Sequence, residues 1–322
     1  MRLSRFMRSR VLQSGPVFLP NQNTGFMQSI RRTFSFLHRH PIAKRDLFRA
    51  YYRFVSSQLR SRQWADKLFV VPFIGQTEFY AKRKLTGVTG SIYTGLQDFE
   101  EMAFVLHFLR EDDQFFDVGA NVGIYSVLAA GVRRCRTLAF EPNLATYAIL
   151  QKNMLLNRAN ALVQCENKGV GRKPDTPGFT LHGDTTNHVV SSTEERTPCT
   201  EVPVVPLDHF ADQWQPSLIK IDMEGLETEV VHGALAILGQ KNLKAILIEL
   251  NGSGGRYGFD EEALHRNFLS LGFVPYCYLP FERKLVRQDN YGSFNTLYIR
   301  DYDHVADRLI HSEPFVVWNT IV

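Results

Sequence analysis

The seven residues DVGANVG, from Asp117 to Gly123, decide the fold, because they end an apolar strand and open a helix. Glycines in such a turn let the backbone approach a ligand closely, and the helix N-terminus adds a partial positive charge. A dinucleotide site would need the spacing G-x-G-x-x-G, whereas Gly119 and Gly123 stand four residues apart. Asp117 at the strand end therefore suits a ligand with a cationic group better than one with two phosphates. A tight structural turn is the alternative.

Short apolar strands alternate with helical stretches from residue 113 onward. The predicted strands are Phe115–Val118, Thr137–Phe140, Leu162–Cys165, Leu218–Ile221 and Ala245–Leu250, and the predicted helices are Ile124–Val132, Leu144–Asn157, Leu226–Leu238 and Glu261–Leu271. Strands rich in Val, Ile, Leu and Phe are typical of a parallel sheet covered on both faces. Phe273–Tyr278 and Thr296–Arg300 follow with no helix between them, which predicts antiparallel strands at one edge. The chain is therefore predicted to be α/β, with residues 172–206 as an insert or a small hairpin.

Glu141 closes the second predicted strand, 24 residues after Asp117. A carboxylate at that strand end can accept hydrogen bonds from both hydroxyls of a ribose. Pro142 then begins the next helix at a position where its missing N–H costs nothing. The alternative is an ordinary acidic helix cap, and the glycine-rich turn that precedes Glu141 favours the nucleoside interpretation.

The segment KIDMEGLE, residues 220–227, places four charged side chains beside a buried strand, where they are costly unless paired or functional. Asp222 and Glu224 are thus candidate site residues, with Lys220 as an ion-pair partner. The alternative is a structural Lys–Asp pair in which Asp222 caps the next helix. Glu249 ends the fifth strand and is the matching candidate there, followed by the glycine-rich residues 251–255 as a candidate mobile lid.

Six motifs together resemble the FkbM-type S-adenosylmethionine-dependent methyltransferases. They are DVGANVG, the strand end Phe140-Glu-Pro142, KIDMEGLE, Val205-Pro-Leu-Asp208, Ile248-Glu-Leu250 and Gly90-Ser-Ile-Tyr-Thr-Gly95. The resemblance covers roughly residues 85–300. It implies a class I methyltransferase (Rossmann-like) fold, a seven-stranded, mostly parallel sheet in which the seventh strand is inserted antiparallel. It also implies S-adenosyl-L-methionine as the cofactor.

The resemblance assigns cofactor contacts residue by residue. Asp117, Gly119, Asn121 and Gly123 would line the methionine part of the cofactor, Glu141 would hold the ribose, Asn167 would lie near the adenine, and Asp222 would complete the site. Many methyltransferases have glycine at the middle position of the loop. Asn121 stands there in this chain, which leaves the contacts of its side chain open.

A hydroxyl acceptor would need a general base within hydrogen-bond reach. The candidates are Asp222, Glu224, Glu249 and His188, the last within the insert, where a surface histidine is the alternative. His182, His188, Asp208 and His209 have no metal-ligand spacing, so no required metal is predicted. Asp208-His209 also resembles part of a hydrolase dyad, but no G-x-S-x-G accompanies it.

Charge is distributed unevenly along the chain. Residues 1–62 carry 13 Lys+Arg and one acid, Asp46, which leaves 37 − 13 = 24 basic and 33 − 1 = 32 acidic groups in the rest. Within the basic part, residues 44–62 predict a helix with an apolar stripe of Leu47, Tyr51, Phe54, Val55 and Leu59 opposite Arg45, Arg49, Arg53 and Arg60. Docking of this stripe on the body is favoured over binding to an anionic membrane or a nucleic acid.

Four regions are predicted along the chain. Residues 1–43 form a basic, disordered arm that also resembles a transit peptide, 44–84 a helical extension, 85–305 the methyltransferase domain and 306–322 a C-terminal tail. No apolar run approaches the roughly 18 residues of a membrane span, and four cysteines without a CxxC pair favour a reduced, cytoplasmic setting. Peripheral membrane contact through residues 44–62 stays an alternative.

The leading functional hypothesis is methyl transfer to a hydroxyl of a sugar, a glycolipid or another small hydroxylated metabolite. A nicotinamide-dependent oxidoreductase is the second hypothesis, and it predicts the G-x-G-x-x-G spacing that the chain lacks. A membrane- or nucleic-acid-binding module acting through the basic arm is the third. It leaves unexplained why acidic residues follow three strands of an acidic body, so a small-molecule, glycan or lipid-linked acceptor is expected and a nucleic acid is not.

Overall fold

The computed structural model describes residues 26–64, 67–82, 85–180 and 199–322. The helices within these ranges are α1 (Phe26–Arg39), α2 (Leu47–Trp64), α3 (Thr89–Thr94), α4 (Phe99–Phe108), α5 (Ile124–Ser126), α6 (Leu144–Leu156), α7 (Glu227–His232), α8 (Leu235–Gly239), α9 (Glu261–Ser270) and α10 (Tyr302–Ile310). A π-helical stretch, Val127–Val132, extends α5.

The strands within the described ranges are β1 (Phe69–Pro72), β2 (Glu78–Ala81), β3 (Gln114–Val118), β4 (Arg136–Phe140), β5 (Val163–Glu166), β6 (Gly169–Val170), β7 (Gly178–Thr180), β8 (Cys199–Glu201), β9 (Val204–Val205), β10 (Leu218–Ile221), β11 (Ala245–Glu249), β12 (Val274–Leu279), β13 (Lys284–Arg287), β14 (Asn295–Ile299), β15 (Val316–Val317) and β16 (Thr320–Ile321). Every strand predicted from residue 113 onward is present within one or two residues of its predicted bounds.

The main sheet has the order β13-β12-β14-β11-β10-β3-β4-β5. The five strands from β11 to β5 are parallel, and β14 is antiparallel to both of its neighbours. This is the mostly parallel class I methyltransferase sheet with one inserted antiparallel strand that the resemblance implies. The predicted number of seven strands is one too small, because the polar stretch after β12 returns as β13, which pairs with β12 and buries Leu285.

The sheet separates two apolar layers, because alternate residues of its buried strands point to opposite faces. Phe115 belongs to the layer beneath α4, and Phe116 belongs to the layer beneath α7, α8 and α9. Chain order reverses between β3 and β10, since β4 follows β3 on one side and β10 lies on the other. Ligands of open parallel sheets bind at such a reversal, beside the carboxyl ends of the strands.

The N-terminal region differs from its prediction in two places. Residues 26–39 are helical rather than disordered, because Leu37 is fully buried with Tyr93 in a small apolar cluster. Residues 1–25 lie outside the described residues. The predicted helical extension ends at Trp64, and β1 and β2 follow as an antiparallel hairpin. Its backbone N–H groups at Tyr80 and Glu78 donate to the side chains of Asn153 in α6 and of Asn157 at the C-cap of α6.

The C-terminal residues are part of the fold rather than a tail. Helix α10 crosses the predicted boundary at residue 305, and β15 and β16 form a hairpin beyond it. Val317 and Val322 are buried in the main core, and the Arg53 guanidinium of α2 lies 3.8 Å from the ring centroid of Trp318. The hairpin therefore connects α2 to the domain. Among the described helices, none is both long and apolar enough to cross a bilayer.

The insert between β5 and β10 forms two short strand pairs. β7 pairs antiparallel with β8, as expected for a small hairpin, and β6 pairs parallel with β9. The residues between β7 and β8, which include His182 and His188, lie outside the described part of the chain.

Candidate functional site

A cleft opens at the carboxyl ends of β3 and β10, where chain order reverses. Its lining in the described residues is Gly87, Gln97, Asp98, Met102, Gly119, Ala120, Asn121, Val122, Ile124, Tyr125, Glu141, Pro142, Lys220, Asp222, Met223, Glu224, Glu249, Asn251, Phe294 and Asn295. Six of the predicted site residues are in this set, namely Gly119, Asn121, Glu141, Asp222, Glu224 and Glu249. The structure therefore brings together the ends of β3, β4, β10 and β11.

The turn after β3 packs directly on the turn after β10, which explains its glycine. A Cβ atom at Gly119 would lie 1.8 Å from the backbone oxygen of Asp222, so no side chain fits there. Asn121 has φ +52°, and this left-handed conformation favours glycine or asparagine. The asparagine at the middle loop position is thus a backbone requirement. Gly123 has φ +83° and packs on Leu150, outside the cleft lining.

The charges that line the cleft are mostly negative. Five carboxylates, those of Asp98, Glu141, Asp222, Glu224 and Glu249, face one ammonium group, that of Lys220. The Lys220 Nζ donates to Asp222 at 3.1 Å and lies 5.0 Å from the ring centroid of Tyr125. A cleft with this excess of carboxylates attracts a cationic ligand, because Lys220 is the one cation in its described lining and Arg256 acts on Glu224 from outside that lining.

Asp117 lies behind this cleft rather than on its surface. It is buried opposite Lys220 in the register of β3 and β10, and Ser126 Oγ donates to one of its carboxylate oxygens at 2.6 Å. The other oxygen is buried without a partner among the described residues. Burial raises the pKa of Asp117, and the nearby Lys220 opposes that shift. Asp117 thus acts on the cleft through Lys220, and the expected direct contact with a ligand is absent from the lining.

Glu141 borders the cleft and supports the start of α6, whose N-cap is Asn143. One carboxylate oxygen accepts from the backbone N–H of Asn121 at 2.8 Å, and the other accepts from Asn143 N at 2.9 Å and Thr146 Oγ1 at 2.7 Å. Burial raises its pKa to about 7. Glu141 therefore fixes the turn after β3 and borders the space beside that turn, and its contact with a ribose stays a prediction.

Asn167, expected beside the adenine, is absent from the cleft lining. Its amide nitrogen donates to the backbone oxygens of Glu141 at 2.9 Å and Pro142 at 3.0 Å. It therefore positions the turn that carries Glu141.

The chain contains a region that matches a known family model. Residues 117–275 match the model of the methyltransferase FkbM domain. The chain contains an FkbM methyltransferase domain. This match runs from the end of β3 into β12 and contains four of the five acidic residues of the cleft, all except Asp98. The oxidoreductase hypothesis loses its support.

Two curated relatives of the FkbM domain are methyltransferases. Methyltransferase 1 of Beauveria bassiana is 29% identical over 147 residues, which are 38% of this chain and 59% of that protein. Hexuronic acid methyltransferase AglP of Haloferax volcanii is 26% identical over 190 residues, 56% of this chain and 74% of that protein. The crystal structure of methyltransferase FkbM from Methylobacillus flagellatus is similar with a TM-score of 0.42 at 16% identity, covering 68% of this chain and 55% of that one. The chain thus spans less than two thirds of two of these proteins.

The loop after β10 of the FkbM domain holds Glu224 in an unusual conformation. Glu224 has φ +51°, and the buried carboxylate of Glu227 accepts from the backbone N–H groups of Met223 at 2.9 Å and Gly225 at 3.2 Å. Glu227 therefore holds the loop in shape, which costs the strain of a left-handed, non-glycine residue. Burial raises the pKa of Glu224 to about 8, and the carboxylate of Asp222 adds to that shift.

A second cavity adjoins the cleft and shares Phe294 and Asn295 with it. Its lining in the described residues is Glu100, Glu101, Leu247, Tyr276, Cys277, Tyr278, Gln288, Asn290, Gly292, Ser293, Phe294, Asn295, Thr296 and Leu297. Asn295 pairs with Glu249 in the register of β14 and β11, so Glu249 stands where the two spaces meet. Burial raises the pKa of Glu249, and the carboxylate of Asp222 adds to that shift.

Asp98 and Tyr125 also line the cleft, and neither was predicted from the sequence as a site residue. Tyr125 Oη donates to Asp98 at 3.2 Å, and burial raises the pKa of Asp98 to about 6. Asp98 stands at the N-cap of α4 without making a capping hydrogen bond from its side chain. In sequence it resembles an ordinary cap, so its only signal was the nearby stretch from Gly90 to Gly95 that carries the family resemblance.

Of the remaining candidates, Asp208 has a structural role, and His182 and His188 lie outside the described residues. Asp208 accepts from the backbone N–H groups of Ala236 and Ile237, both at 3.0 Å, and so caps α8 rather than acting in a dyad. Among the described residues, no group of three or more His, Cys, Asp or Glu could hold a metal ion. His182 and His188 lie outside that part of the chain, so the absence of a metal and the role of His188 stay predictions.

Proposed function

We propose that the FkbM domain transfers the methyl group of S-adenosyl-L-methionine to a hydroxyl of a sugar, a glycolipid or another small hydroxylated metabolite. The observation that carries this proposal is the cleft with five carboxylates and one ammonium at the chain reversal. Bound there, S-adenosylmethionine supplies a methyl group on a positively charged sulfur, ready for in-line displacement. The family match and the two curated methyltransferases support the same reaction.

The residues of the cleft fit this cofactor by charge and by space. Gly119 and Asn121 keep the turn after β3 free of bulk, and Asp222 offers a half-exposed carboxylate, held by Lys220, to a cationic group. Glu141 retains lone pairs for ribose hydroxyls, since its oxygens accept three hydrogen bonds from the protein. Asp117 and Asn167 position these groups from behind, and Gly123 closes the turn.

The acceptor is proposed to enter through the second cavity. Amide and hydroxyl side chains, such as Gln288, Asn290 and Ser293, suit the hydroxyl groups of a sugar. Glu100 and Glu101 each have one buried carboxylate oxygen without a partner in the described part of the chain, and these oxygens can accept from hydroxyl groups. The relative named as a hexuronic acid methyltransferase supports a sugar as the acceptor class.

Glu249 is the proposed general base, ahead of Asp222, Glu224 and His188. It stands at the junction of the two spaces, so an acceptor hydroxyl in the second cavity would approach both it and the cleft. Burial and the neighbouring carboxylates raise its pKa to about 9, so Glu249 must first lose its proton, which a cationic cofactor bound in the cleft would favour. Glu249 would take the hydroxyl proton as the oxygen attacks the methyl carbon, and both groups would be held out of bulk water.

Calorimetry with S-adenosylmethionine and the full chain tests the cofactor assignment. Wild type is expected to bind, and Glu141→Ala is expected to lose about tenfold or more in affinity through the lost ribose and turn contacts. Asp212→Ala, an exposed carboxylate at the opposite edge of the sheet, is the matched control and is expected to bind normally. A wild type that binds NADH but not S-adenosylmethionine would contradict the proposal.

A labelled-methyl assay tests the acceptor. Oligosaccharides with and without hexuronic acids serve as acceptors, alongside a primary amine. Label on the saccharides alone would support O-methylation of a sugar. Label on the amine alone would contradict it while leaving the cofactor assignment intact.

A further inference from the structure

Helix α2 carries a continuous apolar stripe that faces away from the body. Phe48, Tyr52, Val55 and Leu59 follow one another at spacings of four, three and four residues, which places them on one face of the helix. Their exposed fractions are 83%, 69%, 53% and 60%, and Phe48 is the most exposed large apolar side chain in the described residues. Soluble surfaces rarely leave so long an apolar stripe uncovered.

The other face of α2 fixes this orientation. Ala50 is fully buried, and the ring of Phe54 packs edge-on against Tyr93 of α3 at 5.3 Å between centroids. The Gln58 side chain donates to the Tyr93 hydroxyl at 3.0 Å. The sequence prediction that α2 docks on the body is thus correct for part of the predicted stripe. Val55 and Leu59 of that predicted stripe lie on the exposed face instead.

Basic side chains lie beside the stripe. Arg49 and Arg60 lie along one side of it on α2, and Lys44 precedes the helix, all three exposed. Residues 1–62 contain 13 basic residues and one acid, and that acid, Asp46, already accepts from Arg49. An apolar stripe bordered by lysine and arginine matches a surface with an apolar interior and negative headgroups.

We propose that this stripe docks on the surface of an anionic lipid bilayer, with α2 lying in the interface. A second copy of the chain is a poorer occupant, because two such stripes face to face would bring their arginines together. Residues 1–25 are also a poorer one, since they contain four arginines and no acid. The phosphates of a nucleic acid would pair with the lysine and arginine side chains, but a nucleic acid offers no apolar partner for Val55 and Leu59.

Helix α3 links the docking helix to the cleft. The stripe and the cleft are separated by α3, and Gln97 and Asp98, on the connection from α3 to α4, line the cleft. Gln97 in turn accepts from the backbone N–H of Gly90 within α3 at 3.1 Å. The docking itself does not depend on the proposed methyl transfer.

Vesicle flotation with the full chain tests the docking. The vesicles contain either phosphatidylcholine alone or phosphatidylcholine with about 30 mol% phosphatidylserine, which supplies the negative surface. Wild type is expected to bind the anionic vesicles at least about tenfold more strongly than the neutral ones. Phe48→Ser with Leu59→Ser is expected to lose about tenfold or more of that binding.

A matched double variant separates the stripe from general surface effects. Leu155→Ser with Leu235→Ser removes two leucines that are 62% and 56% exposed on other helices, and it is expected to bind vesicles like wild type. If the variant Phe48→Ser with Leu59→Ser has a lower melting temperature than wild type, Tyr52→Ser with Val55→Ser repeats the test. Affinity for S-adenosylmethionine is expected to be unchanged in every variant, which distinguishes failed docking from a failed cleft.

Three outcomes would overturn the docking proposal. The first is wild type that floats equally with both vesicle types or with neither. The second is a wild-type dimer in light scattering that the stripe variant makes monomeric, which would assign the stripe to a second copy. The third is stripe-dependent binding of single-stranded oligonucleotides without vesicle binding.

Discussion

The two edges of the main sheet carry charge in opposite ways. Where the parallel strands begin, Arg308 pairs with Asp113, and Lys244 pairs with Asp301 at 2.7 Å. Where they end, five carboxylates share the cleft with one ammonium. Burial raises carboxyl pKa values at this second edge, that of Glu224 to about 8. The first edge therefore contributes to stability, and the second holds carboxyl groups whose ionisation a cationic ligand would favour.

The largest expected effect tests the ion pairs at the first edge, where the parallel strands begin. Arg308→Ala leaves the nearly buried carboxylate of Asp113 without its cation, and we expect the free energy of unfolding to fall by about 3 kcal/mol. Urea denaturation measures the loss. Lys244→Ala breaks a more exposed pair at the same edge and is expected to cost less than about 1 kcal/mol. Equal losses in the two variants would show that burial does not set the value of these pairs.

The second effect tests, through catalysis, the carboxyl groups at the second edge, where the parallel strands end. Glu249→Gln removes the proposed base but keeps its shape, so turnover is expected to fall about 100-fold, which is about 2.7 kcal/mol in activation free energy. Affinity for S-adenosylmethionine is expected to stay within about threefold of wild type, since the base acts on the acceptor. Steady-state kinetics separate the two, and Glu229→Gln, which alters a carboxylate away from the cleft, is the control. Normal turnover in Glu249→Gln would give the deprotonation to another group.

The third effect concerns stability and pH. Because the pKa of Glu224 is raised from 4.5 to about 8, the folded chain keeps a proton that the unfolded chain releases. Wild type is therefore expected to lose stability as the pH rises from about 4.5 to 8 and to lose no more from this group above that range. Glu224→Gln should remove part of this loss, about 1 to 2 kcal/mol at pH 8 after solvent screening. A variant that is less stable than wild type at pH 8 would contradict this sign.

The sequence was sufficient to predict the parallel strands of the main sheet and insufficient to predict the elements that pack around them. Apolar runs such as residues 245–248, Ala-Ile-Leu-Ile, predict buried parallel strands, because only those strands are apolar on both faces. The hairpin of β1 and β2 was missed, since its backbone is held by Asn153 and Asn157, more than 70 residues away. Helix α1 was missed for a related reason, because its burial depends on a cluster that includes Tyr93.

Prediction of the cleft succeeded where a strand end carried an acid. Glu141 and Asp222 directly follow strands and Glu249 ends one, so parallel topology alone brings them to one edge. Asp98 and Tyr125 reach the same cleft from helices, 27 residues apart, and no local pattern joins them. Asn167 has a strand-end position but uses its amide on backbone oxygens, which position along a strand cannot foretell.

The smallest effect sharpens the contrast between the edges. A cationic ligand favours ionised carboxylates, so its binding should lower the raised pKa values of Asp98 and Glu141, which lie at about 6 and 7. Binding of S-adenosylmethionine should then release protons, and its affinity should rise about threefold, or about 0.7 kcal/mol, from pH 6 to 7. Calorimetry in two buffers of different ionisation enthalpy counts those protons, and Glu141→Gln should release fewer. Proton uptake on binding would mean that the cleft selects its ligand by something other than unbalanced negative charge.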